Sequence, residues 1–86
     1  MSQKKPRKVR HPSSGKVRRQ IAAQIVARRN ELNLTQAEVG ARIGVSQQQI
    51  AKLESGRVNP RIKTLGKVAD ALEAELDIKF TLQAAA

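Results

Sequence analysis

A repeated helix-start signal between residues 35 and 49 constrains this chain more than any other feature. Thr35 is followed three positions later by Glu38, and Ser46 is followed three positions later by Gln49. In such a capping box the hydroxyl of the first residue accepts a hydrogen bond from the backbone N–H of the fourth. The side chain of the fourth residue in turn accepts one from the backbone N–H of the first. The sequence therefore predicts two short helices in close succession.

Apolar residues bracket each capping box and predict the angle at which the chain enters each helix. Leu34 and Val39 lie on either side of the first box, and Val45 and Ile50 take the same positions around the second. Such a pair packs together as a hydrophobic staple. Gly44 lies between the two helices, and glycine accepts the positive φ that commonly ends a helix. The pattern predicts a helix-turn-helix rather than one continuous helix.

Length and composition limit the classes of protein to which the chain can belong. With 86 residues we expect a single domain with a small core. There is no cysteine, one Phe and no Trp or Tyr, which excludes disulfides and thiolate metal sites and predicts an aliphatic core. No apolar run is long enough to span a bilayer and no secretion signal is recognisable. We therefore expect a cytoplasmic protein without membrane contact.

The positive charge is concentrated at one end of the chain. The formal net charge is +10, and eight of the 17 basic residues lie in the first nineteen positions, which contain no acid. A basic arm on a nearly balanced domain predicts a polyanionic partner, with a merely solvated arm as the alternative. The arm residues expected to contact such a partner are Lys4, Lys5, Arg7, Lys8 and Arg10.

Periodicity divides the chain into an arm, a helical domain and a tail. Residues 1–15 are predicted to be a disordered basic arm and 84–86 a frayed tail. Within the domain, 16–73, apolar spacing predicts helices at about 16–30, 36–43, 47–54 and 62–73. The residues predicted to face the core include Val17, Val39, Ile43, Ile50 and Leu53, whereas Arg18 and Arg29 lie largely off the apolar stripe of the first helix. The expected fold is mainly α, with four helices or five. Gly40 interrupts the second helix, which predicts that another helix approaches closely there.

The pattern changes from helical to alternating after residue 73. Apolar Leu76, Ile78, Phe80 and Leu82 alternate with polar residues, which predicts a β-strand over 74–83. The chain offers no second strand, so we predict that this strand pairs with one from another chain, most simply across a homodimer. The alternative is an extended tail that lies on the domain without pairing.

These residues together resemble a known family. The stretch LTQAEVGARIGVSQQQIAKLESGRVNP, followed by TLGKVADAL, is similar to the Xre or Cro/CI family of bacterial and phage helix-turn-helix DNA-binding proteins. The resemblance covers about residues 17–73 and departs from the family at Gly40, where alanine is usual. It implies a repressor that binds a palindromic site on double-stranded DNA.

The tail suggests a narrower resemblance. Strand-appended members of the family resemble the DNA-binding antitoxins of type II toxin–antitoxin modules, in which such a strand pairs between subunits. This implies an antitoxin that represses its own operon and neutralises a cognate toxin. The alternatives are a solitary phage or plasmid repressor, and a module that chiefly binds a toxin. No nucleophile–base pair or metal-ligand spacing is present, so we expect neither an enzyme nor a metal or cofactor.

The motif assigns roles to individual side chains. In a helix-turn-helix the second helix enters the major groove with its N-terminal residues at base edges. We therefore expect base contacts from Gln47, Gln48 and Lys52. The resemblance and the affinity of helix N-termini for anions place a second set on the DNA backbone. These residues are Thr35, Gln36, Ser46, Gln49, Ser55, Arg57, Asn59 and Arg61.

Overall fold

Four α-helices make up the regular secondary structure of residues 13–80, the part of the chain that the computed structural model describes. Helices α2 and α3 occupy the predicted ranges, α1 begins earlier than predicted, and α4 ends earlier. The mainly helical fold is confirmed. The helices are α1 (Ser13–Glu31), α2 (Gln36–Ile43), α3 (Gln47–Glu54) and α4 (Ile62–Ala71).

Both predicted capping boxes are present. The Thr35 hydroxyl accepts from the Glu38 backbone N–H at 3.0 Å, and the Glu38 carboxylate accepts from the Thr35 N–H at 2.7 Å. The second box repeats this at 3.1 Å and 2.9 Å between Ser46 and Gln49. Gly44 ends α2 in the left-handed conformation, with φ 73°. At the turn between the two eight-residue helices, Gly44 therefore fixes the end of α2 and the second capping box fixes the start of α3.

The core is aliphatic and gathers residues from all four helices. Ile25 of α1, Val39 of α2, Ile50 of α3 and Val68 of α4 are buried, and Val39 and Ile50 are fully inaccessible to solvent. Helix α2 packs against both α3 and α4, and α1 packs against α3. The inward positions predicted for α2 and α3 are therefore confirmed, with Ile43 and Leu53 packed against the buried cluster.

Two expectations for α1 are corrected. The helix begins at Ser13, so residues 13–15 belong to it rather than to the predicted disordered arm. Serine, which is common in loops, is also favoured at the start of a helix. Val17, predicted to face the core, is 47% exposed, and the buried residues of α1 are Ala22 and Ile25. Residues 1–12 of the arm lie outside the described residues.

Arginine side chains close the carboxyl end of α4. Arg28 Nε donates to the Leu72 carbonyl at 2.9 Å, and Arg42 Nη1 donates to the Ala71 carbonyl at 2.8 Å. Cationic donors are favourable there because the last carbonyls of a helix lack intrahelical partners. Glu73 then adopts a left-handed conformation with φ 57°, and the helix stops two residues before its predicted end.

The predicted C-terminal strand is not observed in the part of it that the structure describes. Residues 74–80 have no regular secondary structure, and Leu76, Ile78 and Phe80 are exposed. A strand forms only where its backbone groups find a partner, and the chain by itself supplies none. Leu82 and the predicted frayed residues 84–86 lie outside the described residues.

The reason for glycine at position 40 differs from the predicted one. A Cβ atom at Gly40 would lie 2.5 Å from the carbonyl oxygen of Val45 and 3.2 Å from that of Ser46. The close neighbour is thus the backbone of the α2–α3 turn rather than another helix. Gly66, inside α4, has nothing within 4 Å of its corresponding position.

These two glycines give a matched pair of substitutions. Gly66→Ala should raise the free energy of unfolding by up to about 1 kcal/mol, the difference in helix propensity. Gly40→Ala has the same propensity gain, but its methyl group must displace a backbone carbonyl. We expect Gly40→Ala to be less stable than Gly66→Ala by at least about 1 kcal/mol in urea denaturation. Equal stability of the two variants would contradict the close approach.

Candidate nucleic-acid interface

Helix α3 divides its side chains between the core and the solvent. Ile50 is fully buried and Leu53 is half-buried against the core, whereas Gln47, Gln48 and Lys52 are exposed. Gln47 and Gln48 occupy the first turn of the helix, where backbone N–H groups lack intrahelical partners, and Lys52 lies in its last turn. All three predicted base-contacting residues are thus exposed on α3.

An ion pair holds α3 against α1. Arg29 Nε donates to Glu54 Oε2 at 2.6 Å and Arg29 Nη2 donates to Glu54 Oε1 at 2.9 Å, so the pair is bidentate. The side chains are only 15% and 7% exposed, respectively. Arg29 Nη1 also donates to the Leu34 carbonyl at 2.9 Å, which ties the α1–α2 turn to the same group. A bidentate pair of this kind fixes direction as well as distance.

The ionisation of both partners follows from this geometry. Partial burial raises the pKa of the Glu54 carboxyl, but hydrogen bonds from Arg29 and Gln36 outweigh it, and the pKa lies below its ordinary value. The hydrogen bond to Glu54 raises the pKa of Arg29. The backbone hydrogen bond from Thr35 lowers the pKa of Glu38 in the first capping box. Both carboxylates are therefore charged at neutral pH.

A chain of hydrogen bonds leads from the ion pair to the start of α3. Gln36 Nε2 donates to Glu54 Oε1 at 2.9 Å, and Gln47 Nε2 donates to Gln36 Oε1 at 3.3 Å. The half-buried Gln36 amide is thus engaged at both ends within the protein. It orients Gln47, and the first backbone N–H groups of α2 lack intrahelical partners at this position.

Shallow depressions flank the start of α3 on both sides. One lies at the N-terminus of α2 and is lined by Asn33, Thr35, Gln36 and Gln47 among others. The other lies between α3 and the following loop and is lined by Gln49, Lys52, Asn59 and Arg61 among others. Most of the residues predicted to contact the DNA backbone therefore surround the three exposed side chains of α3.

The loop after α3 is connected to α1. Arg57 and Arg61 are exposed, whereas Asn59 Oδ1 accepts from Arg18 Nη1 at 3.1 Å. Ser55, predicted to contact DNA, has a structural role: its hydroxyl donates to the Lys52 carbonyl at 2.6 Å and accepts from the Arg57 N–H at 3.1 Å. These hydrogen bonds fix the direction in which the loop leaves α3. Two exposed arginines, Arg57 and Arg61, then lie in the loop that follows the helix.

Sequence reasoning missed Arg18, Arg29 and Glu54, which position the surface without lying on its exposed part. Arg18 and Arg29 were placed on the solvated side of α1. A signal was available for the ion pair, since Arg29 follows the core residue Ile25 by four positions and Glu54 follows Ile50 by four. Residues four apart share a helix face. The arm residues Lys4, Lys5, Arg7, Lys8 and Arg10 lie outside the described residues.

Residues 25–79 match a family model described as "Helix-turn-helix", which spans most of the chain and includes α2, the turn and α3. The chain belongs to the Xre (Cro/CI-type) helix-turn-helix family. The match begins inside α1 and ends within the tail, so the ion pair, both capping boxes and α4 are all included.

Relatives in this family carry names of transcriptional regulators. An uncharacterized HTH-type transcriptional regulator of Sinorhizobium fredii is 45% identical over 56 residues, which are 65% of this chain and 73% of the relative. The transcriptional repressor RstR of a cryptic phage in Vibrio cholerae is 39% identical over 57 residues, 66% of this chain and 51% of the relative.

A phage protein also matches. The ImmF control region 10 kDa protein of Bacillus phage phi105 is 30% identical over 60 residues, 70% of this chain and 67% of the relative. No solved structure matches the chain significantly. Among residues 13–80, no helix is both long and apolar enough to cross a membrane.

The Arg29–Glu54 pair predicts a pH dependence of stability. Because the pKa of Glu54 is lower in the folded than in the unfolded chain, its stabilisation is complete above the unfolded pKa. This stabilisation is lost as the pH falls through the lowered pKa of the folded state. Glu54→Gln removes hydrogen bonds to a charged group, so it should lower the free energy of unfolding by about 2 kcal/mol at pH 7 and flatten the decline of that free energy in acid.

Glu31→Gln is the matched control. Glu31 also pairs with an arginine of α1, Arg28 at 3.1 Å, but its side chain is 65% exposed. This substitution should change stability by less than about 0.5 kcal/mol, as exposed ion pairs do. Denaturant titrations of both variants from pH 7 to pH 3 make the comparison. Identical profiles for the two would show that the pair does not hold α3.

Proposed function

We propose that this protein binds double-stranded DNA in a sequence-specific manner and represses transcription. The supporting observation is the surface of α3, where Gln47, Gln48 and Lys52 are exposed while the opposite face is held by the core and by Glu54. A glutamine can bond adenine in bidentate fashion and a lysine can donate to guanine. The proposal includes no catalytic step, metal or cofactor.

Contacts to the DNA backbone accompany the base contacts on both sides of α3. The N-terminus of α2 offers free N–H groups to a phosphate, with Thr35 and Ser46 hydroxyls and the Gln49 amide engaged in their caps. On the opposite side of α3, the exposed Arg57 and Arg61 contact the DNA backbone at the other edge of the major groove. Such contacts set the position of the protein on the duplex and carry little sequence information.

A homodimer on an inverted repeat completes the proposal. One α3 reaches only a few base pairs, whereas two related by a two-fold axis reach half-sites about 34 Å apart, one turn of DNA. The tail supports this assignment because its apolar residues are exposed: Leu76 is 41%, Ile78 58% and Phe80 96% accessible. We assign the dimer contact to residues 74–83.

A second candidate function is that of an antitoxin, which would repress its own operon and bind a toxin. The small size of the chain, the order of domain and tail, and the alternating apolar residues after position 73 support it. The names of the two phage relatives support the alternative of a solitary repressor. Two observations separate the antitoxin from the solitary repressor. An antitoxin co-purifies with the product of the adjacent gene, and its co-expression rescues the growth of cells that express that product.

Substitutions on α3 test the base contacts. Selection from a random DNA pool with the full chain first defines a site. Gln48→Ala should then weaken binding to that site by about 10- to 100-fold and relax the preference at one base pair, since a bidentate base contact is lost. Gln20→Ala removes an exposed glutamine of α1 and should leave affinity and preference unchanged. Unaltered preference in Gln48→Ala would refute base contact by this residue.

The salt dependence of binding tests the arm. Replacement of Lys4, Lys5, Arg7, Lys8 and Arg10 by glutamine should make the slope of log affinity against log salt less steep by as much as about 4.5, because each phosphate neutralised contributes about 0.9. Base preference should persist, since these contacts do not select sequence. A slope identical to that of the unmodified chain would mean that the arm makes no phosphate contact.

A further inference from the structure

An apolar groove runs between α1 and α4 on a part of the domain that α2 and α3 do not reach. Its walls are Ile21 and Ile25 of α1 with Leu65, Ala69 and Leu72 of α4, and Leu76 of the tail lies at its edge. The polar side chains at the groove are Gln24, Arg28 and Glu75. No residue of α2 or α3 lines it.

The large exposed hydrophobic residues of the described chain lie on α1, on α4 and in the tail. Val17 is 47% and Ile62 67% exposed. Val17 lies four positions before the groove residue Ile21, and Ile62 lies three positions before Leu65, so each is about one helical turn beyond a residue that lines the groove. The other exposed members are Leu76, Ile78 and Phe80 of the tail. Exposed apolar residues grouped near one groove mark an interaction site.

The tail has the complementary character. Its apolar residues recur at every second position, and Phe80 is the only aromatic residue of the whole chain. Leu76 lies against the groove of its own domain, yet four residues later Phe80 is 96% exposed. An aromatic ring is the side chain that gains most from burial in an apolar groove. The described chain thus has an apolar groove between α1 and α4 and an exposed aromatic ring, that of Phe80, whose burial in such a groove is favourable.

We propose that the tail of one copy packs into the α1–α4 groove of a second copy, with Ile78 and Phe80 as anchors. Each chain offers one tail and one groove, so a two-fold pair fills both in a closed, isologous interface. The inference rests on the proposed DNA-binding function for its purpose, and it adds the receiving surface to the dimer. It differs from pairing of two tails as strands, in which the grooves would stay open.

This arrangement leaves the DNA-binding surface free. The groove is built from α1, α4 and the tail, whereas Gln47, Gln48 and Lys52 lie on α3. Occupation of the groove therefore does not compete with DNA. It also places the two copies in a fixed relation through α1, the helix to which α3 is joined by the Arg29–Glu54 pair.

Photo-crosslinking from the anchor position tests the proposal. Phe80→4-benzoylphenylalanine retains an aromatic ring at the anchor. The variant is mixed with an excess of unmodified chain labelled with nitrogen-15, irradiated, digested and analysed by mass spectrometry. We expect crosslinks from the unlabelled tail to labelled peptides of α1 or α4. Two substitutions on α4 serve as a matched pair: Ala69→Glu places a charge in the groove, and Lys67→Glu places one on an exposed position outside it.

The expected result is that Ala69→Glu abolishes the crosslink and sediments as a monomer, while Lys67→Glu retains both crosslink and dimer. Crosslinks confined to unlabelled peptides of the same chain would mean that the tail fills its own groove, and would overturn the proposal. Crosslinks confined to the tail of the labelled chain would show that the two tails pair as strands, and would overturn the proposal. A wild-type chain that sediments as a monomer, together with a variant that gives no crosslinks, would also overturn it. DNA binding by the wild-type chain is measured separately. If the wild-type chain does not bind DNA, that result contradicts the proposed function and not the contact between tail and groove.

Discussion

The carboxylate of Glu54 joins three of the four helices. It lies on α3, accepts two hydrogen bonds from Arg29 of α1 and one from Gln36 of α2, and is almost completely shielded from water. Two helices of eight residues have little stability of their own, because short helices depend on tertiary contacts. The ion pair and the buried Ile50 and Val39 therefore determine where α3 points. A tilt of α3 would move its exposed side chains away from the rest of the surface proposed to bind DNA.

A second constraint acts at the turn between α2 and α3. The backbone at Val45 and Ser46 lies so close to Gly40 that there is no room for a side chain, and Gly44 supplies the left-handed conformation that ends α2. The two capping boxes then define where each helix begins. Local chemistry thus sets the helix ends, and long-range contacts set the orientation. The surface proposed to bind DNA needs both.

Much of this architecture is predictable from the sequence because its signals are local. The bounds of α2 and α3 follow from capping residues three positions apart, and the inward positions follow from helical spacing. The Arg29–Glu54 pair was missed because its partners are 25 residues apart and each looks solvated when its helix is considered alone. The role of Gly40 was assigned to the wrong neighbour because helical spacing does not show how closely the turn after α2 folds back onto that helix. The predicted strand failed in the described residues because alternation shows which residues share a face but not where a pairing partner lies.

The division of labour along α3 has a consequence for how such a protein can change. Ile50, Leu53 and Glu54 hold the helix, and Ser46 with Gln49 begins it, which leaves Gln48 and Lys52 with no part in folding the domain. Exposed positions of this kind accept substitution with little effect on stability. Under the proposed function, a new DNA preference therefore needs only one or two replacements at these positions, without a compensating change elsewhere. Duplicated copies of this gene could diverge in the sites they recognise while sharing one unchanged scaffold.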